Sequence, residues 1–63
     1  MKLQEKRKAA GLSQSQLAEK SGVPVRSIQE YEQGKKDLKK AAYQTVQALS
    51  DALGCKTEDF FQL

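Results

Sequence analysis

The sequence predicts an all-α fold: one compact domain over residues 1–63, built from five short helices. Apolar residues recur three and four positions apart through most of the chain, and no stretch alternates as a strand would. Gly11, Gly22, Gly34 and Gly54 each follow such a segment, where helices commonly stop. With 63 residues, 38% hydrophobic side chains and no Trp, the chain can fill one core and no second one.

The first helix is expected over 2–10, with Leu3, Arg7 and Ala10 on one face, Gly11 as its stop and Leu12 dropping into the core behind. Ser13 caps a second helix from Gln14 to about Lys20, and Gln16, three positions on, completes a capping box. Gly22 breaks the chain and Val23 plugs the turn. Pro24 sits where a third helix begins, a place proline tolerates because no backbone donor is lost there. That helix runs over about 25–33 and Gly34 closes it. Residues 35–40 form a basic loop with Leu38 as a peg into the core and Asp37 as an N-cap for the next helix. This fourth helix spans about 40–53, burying Ala42, Val46, Leu49 and Leu53, widened by Thr45 and Ala52. Thr57 caps a last short helix with Glu58 and Asp59 in its first turn, where acidic charge suits the dipole, and Phe60, Phe61 and Leu63 on its apolar side.

Composition narrows the function classes. Residues 1–40 carry ten Lys/Arg against five Asp/Glu, whereas residues 41–63 carry one Lys against three acids. The basic two-thirds suits a polyanionic partner. Lys2, Lys6 and Lys8 lie on one side of the 14–34 segment in sequence, and Lys35, Lys36, Lys39 and Lys40 on the other. Histidine is absent and Cys55 is alone, so no disulfide, structural zinc or other cofactor is expected, and Cys55 reads as a small core hydrophobe. No nucleophile–base set exists for catalysis. No apolar run approaches the roughly 20 residues that cross a bilayer, and the N-terminus does not resemble a signal peptide, so the expected location is cytoplasmic. Nor does any segment suggest a small-molecule effector domain.

The segment 14–34, QSQLAEKSGVPVRSIQEYEQG, is the informative one. Leu17, Ala18, Val23, Ile28 and Tyr31 are spaced so that its two helices pack on each other across the turn at Gly22. The second is left with a free outer face carrying Val25, Arg26, Gln29 and Glu30. A short helix held proud of a basic body is how a protein reaches base edges in the DNA major groove. Arg26 can donate twice to guanine, Gln29 can pair with adenine, and Val25 can touch a thymine methyl. Glu30 can accept from cytosine or else orient Arg26 one turn away. Ser27 is within reach of a phosphate or a base. Lys35, Lys36, Lys39 and Lys40 are point charges suited to phosphate, and Lys2, Lys6 and Lys8 are weaker candidates.

Arg7, Gly11, Leu12, Ser13, Gln14, Leu17, Ala18, Gly22, Val23, Ile28, Tyr31, Glu32 and Gly34 together resemble the lambda-repressor-like helix-turn-helix family, which includes Cro, the phage repressors and small Xre-type bacterial regulators. Ala48, Leu49, Ala52, Leu53 and Gly54, then Glu58 and Phe60, extend the resemblance over nearly the whole chain. The segment from Gly34 to Val46 is a few residues longer than in the phage repressors and resembles a bacterial subset with a K-x-D-[IL]-x-K-A stretch. The resemblance implies that Gln14 contacts phosphate from the start of the second helix. It also implies that Arg7 and Glu32, two charges on otherwise apolar faces, form a semi-buried ion pair joining the first and third helices.

The expected function is a sequence-specific regulator of transcription, a repressor, acting on double-stranded DNA. The alternative is a protein-interaction module, such as an antitoxin or adaptor, using the same helices. One recognition helix reads too few base pairs to single out a genomic site, so a weak homodimer is expected. Phe61 or Leu63, more apolar surface than one short helix can bury, is the expected dimer contact.

Overall fold

Four α-helices and two single 3-10 turns make up the computed structural model, which describes residues 2–61. Helix α1 is Lys2–Ala9, α2 is Gln14–Ser21, α3 is Val25–Gln33 and α4 is Tyr43–Leu53; the 3-10 turns are Leu38–Lys40 and Thr57–Phe60. Among the described residues there is no strand. Helix α2 packs on both α3 and α4, α1 on α3, and the last 3-10 turn closes the bundle against α1 and α4. Leu3, Leu17, Ile28 and Leu49 are fully buried at the centre, with Val23, Tyr31, Leu38, Val46, Ala52 and Phe60 around them.

Local chemistry accounts for the helix boundaries. The Ser13 hydroxyl accepts from the Gln16 N–H at 3.0 Å while the Gln16 side chain accepts from the Ser13 N–H at 2.8 Å, the expected capping box. Gly22 adopts φ 79°, its N–H reaching the Ala18 carbonyl at 2.8 Å, and the Ser21 hydroxyl accepts from the Val23 N–H at 3.1 Å. A Cβ at Gly22 would meet nothing within 4 Å, so glycine is needed there for its backbone conformation and not for space. Helix α3 ends in a Schellman motif: the Lys35 N–H bonds the Glu30 carbonyl and the Gly34 N–H the Tyr31 carbonyl.

Several expectations are corrected. The fifth helix is only the 3-10 turn Thr57–Phe60, too short to close an α-helical hydrogen bond of its own. Thr57 opens that turn and does not cap it; the Asp59 carboxylate caps it by accepting from the Lys56 N–H at 3.1 Å. Helix α4 starts at Tyr43, not near residue 40, because Leu38–Lys40 tighten into a separate 3-10 turn. Asp37 caps that turn through the Lys39 N–H at 3.0 Å. Ala42 therefore lies ahead of α4, exposed, and not in its buried stripe. Ala10 falls in the turn after α1 and is exposed as well. Ser50, not expected in the core, is fully buried, its hydroxyl donating to the Gln47 carbonyl one turn back at 2.9 Å. Cys55 is half-buried against the core, where burial pushes its thiol pKa up, in keeping with a packing role.

Candidate nucleic-acid interface

Helix α3 is strongly two-sided. Ile28 and Tyr31 are buried, while Val25 (37% exposed) and Arg26 stand in solvent at its first turn, with Gln29 and Glu30 half-buried one turn on. The four expected base-reading residues thus share one outward strip, led by the N-terminal end. Ser27 departs from that strip. It is half-buried on the flank that meets α4, in a groove shared with Tyr31, Gln44 and Thr45.

Glu30 does not orient Arg26. Its carboxylate pairs with Lys36 Nζ at 3.2 Å, and its carbonyl also accepts from the Lys36 N–H at 3.2 Å. The Schellman turn folds the chain back by those backbone bonds, which brings residue 36 beside residue 30, an approach that helical spacing alone does not foretell. Lys36 also lies 5.9 Å from the centre of the Tyr31 ring. Lys35, Lys39 and Lys40 are exposed.

The strip is held in place by a charge network at the other end of α3. Arg7 Nε donates to Glu32 Oε2 at 2.7 Å, and the same guanidinium donates to Glu32 Oε1 at 3.1 Å and to the Leu12 carbonyl at 2.8 Å. The Arg7 side chain is 10% exposed and that of Glu32 4%. This two-pronged geometry matches the ion pair that the family resemblance implies. Burial pushes the Glu32 carboxyl up, but hydrogen bonds from Arg7 and Gln14 and the charges of Arg7 and Lys8 outweigh it, leaving a pKa below the ordinary carboxylate range. Its hydrogen bond to Glu32 raises the Arg7 pKa, against the opposing effect of burial.

Gln14, expected to meet phosphate, sits at the start of α2 with Nε2 donating to Glu32 Oε1 at 3.0 Å. That contact was not legible in the sequence, which gives no distance between residues 18 apart on separate helices. Phe61 is half-buried, edge-on to the buried Phe60 with ring centres 6.3 Å apart; Leu63, the other expected dimer contact, lies outside the described residues. Among the described residues no His, Cys, Asp and Glu gather into a metal site, and no helix is long and apolar enough to cross a membrane.

A helix pair joined by a glycine turn, its second helix outward-facing and clamped from behind, is the arrangement described by the helix-turn-helix family model, which matches residues 3–60. The chain belongs to the lambda-repressor-like helix-turn-helix family. It is accordingly a DNA-binding regulatory domain, with α2 and α3 as the helix-turn-helix. No curated protein and no solved structure matches the chain.

Proposed function

We propose that this domain is a repressor that binds double-stranded DNA sequence-specifically, laying α3 in the major groove. The observation that carries this reading is the solvent-exposed first turn of α3, on a helix whose inner face is buried and whose far end is pinned to α1. Val25, Arg26, Gln29 and Glu30 supply the base contacts; Gln14, Ser27, Lys35, Lys36, Lys39 and Lys40 supply phosphate contacts that set register. An interaction module would want an apolar outward face on α3, and Val25 is the one large exposed hydrophobic residue that this helix presents.

The domain acts as a weak homodimer that assembles on its site. Phe61 leaves part of its ring uncovered at the C-terminal end, where the local charge is negative and phosphate is disfavoured. Two copies about a two-fold axis would read half-sites about 34 Å apart. Selection of bound sequences from random duplex DNA, followed by footprinting, tests both statements. An inverted repeat with one-turn spacing is the expected result. Recovery of unrelated sequences would refute specific recognition, and protection of a single half-site would refute the dimer.

A further inference from the structure

We infer that the groove between α3 and α4 is a cleft for one DNA phosphate, held by the hydroxyl of Tyr31 together with those of Ser27 and Thr45. The inference rests on the proposed binding of double-stranded DNA and adds a contact, Tyr31, which that reading does not include. Tyr31 is only 7% exposed and its ring belongs to the core, yet its hydroxyl has no hydrogen-bond partner among the described residues. Buried tyrosines ordinarily find a partner for that polar tip. No fully buried side-chain polar atom of the described residues lacks one, so the Tyr31 hydroxyl reaches the surface. The surface it reaches is the groove that Tyr31 lines with Ser21, Ser27, Lys36, Gln44 and Thr45.

The lining is made of donors. Ser27 and Thr45 bring two more hydroxyls, and Ser21, which accepts from the Val23 N–H, keeps its own proton to give. Gln44 and Thr45 belong to the first turn of α4, an 11-residue helix that Ala42 precedes without a side-chain cap. The N–H groups of Tyr43 and Gln44 therefore have no intrahelical acceptor, and that helix end carries partial positive charge. Lys36 adds a full charge, and among the described residues no Asp or Glu lines the groove. Donors and positive charge without an acid suit an anion. Position identifies the anion. Ser27 directly follows Arg26, so the groove flanks the strip proposed to read bases. A helix lying in the major groove has a sugar–phosphate strand along each side, and the strand on the α4 side passes this cleft.

Tyr31→Phe removes the hydroxyl and keeps the ring. Because that hydroxyl bonds nothing among the described residues, the melting temperature should not change. Y31F should bind the selected duplex and random duplex alike about two- to tenfold more weakly, the loss of one hydrogen bond. The salt slope should stay as it is, since a neutral donor releases no counterion. Ethylating the backbone phosphates one at a time locates the contact. One phosphate per half-site should cost the wild-type protein more binding when ethylated than it costs Y31F. T45V should be less sensitive at that same phosphate, which carries the test should Y31F not fold.

Wild-type affinity in a folded Y31F, or the same ethylation pattern in both proteins, would overturn the inference while leaving the proposed function intact. A salt slope that falls in Y31F would do the same, by assigning the loss to Lys36. So would a loss confined to the selected sequence, by moving Tyr31 to base reading. Inorganic phosphate, titrated at constant ionic strength against the amide NMR signals of Gln44 and Thr45, separates the two sources of the anion. Shifts there, with DNA binding by Y31F unchanged, would give the groove to a free anion and overturn the inference. Failure of the wild-type protein to select any duplex would instead sink the proposed function, and the inference with it.

Discussion

Replacing Arg7 with Met would test how strongly the recognition helix is tied to its scaffold. The substitution keeps an unbranched apolar stem but removes three hydrogen bonds, two to Glu32 and one to the Leu12 carbonyl. It strands a carboxylate whose side chain is only 4% exposed, with Gln14 as its remaining donor. Breaking such a pair from one side typically costs about 3 kcal/mol or more. A domain of this length has only about 3–9 kcal/mol to lose. At roughly 4–8 °C per kcal/mol for a small domain, the melting temperature should fall by about 12 °C or more. Urea unfolding followed by circular dichroism measures the loss. The double variant R7M/E32L should be less destabilised than R7M, because it removes the stranded charge as well. A loss below about 1 kcal/mol in R7M, or single-variant losses that simply add, would refute the reasoning.

The same pair sets an acid dependence. Folding holds the Glu32 pKa below its ordinary value, so its contribution is fully present above the unfolded-state value of about 4.3 and is lost as pH falls through the depressed folded one. In R7M the Arg7 hydrogen bond and charge are gone while burial still opposes the Gln14 hydrogen bond, so the Glu32 carboxyl should rise from its depressed folded value. The stability that the wild-type protein gains from this group as pH climbs through about 4 should therefore shrink in R7M, and an unchanged acid limb would show that Arg7 does not set the Glu32 pKa.

Arg26→Ala should cost about 1–3 kcal/mol on the selected site and relax preference at one base pair; equal losses on specific and random duplexes would reassign Arg26 to phosphate. Lys35→Ala should weaken all duplexes alike and lower the salt slope by up to about 0.9, an unchanged slope meaning that Lys35 faces solvent in the complex. Lys36→Ala should be partly rescued on random duplex by adding Glu30→Gln, because the first change leaves the Glu30 carboxylate without its partner; Lys35→Ala should gain less from the same addition. Gly22→Ala should destabilise folding by about 1–2 kcal/mol through its φ of 79° alone, and a neutral result would show that the turn relaxes.

Local rules carried much of this fold into the sequence. Ser13 and Gln16, and the glycines after each helix, depend on neighbours within a turn, and their roles are those expected. Leu38 was legible as a core peg for a similar reason, as one apolar residue in a basic stretch. The misplacements come where competing local structures are close in energy. Asp37 is a good cap for either a long α4 or a 3-10 turn, and residues 38–42 carry nothing that distinguishes them until the turn packs. Ser50 escaped because hydroxyl residues are usually surface, and only the back-bond to Gln47 shows how its polar group is satisfied. At the site, the outward strip of α3 follows from helical periodicity. The partners of Glu30 and Gln14 do not, since each is brought in by chain reversal or by packing between helices.

Those two contacts change what the charge count means. Residues 25–40 contain five cations and three acids, a modest excess. Yet two of the acids are ion-paired, Glu30 with Lys36 and Glu32 with Arg7, whereas exposed Asp37 bonds only the neutral Lys39 N–H and keeps its charge. Glu32 is neutralised by an arginine from outside the segment, at contact distance and out of solvent, so the pair projects little field beyond itself. Arg26, Lys35, Lys39 and Lys40 remain exposed. An approaching polyanion therefore meets more positive potential than the local count of +2 suggests. The buried pair thus does two things at once: it fixes α3 on its scaffold and withdraws a negative charge from the solvent-facing surface.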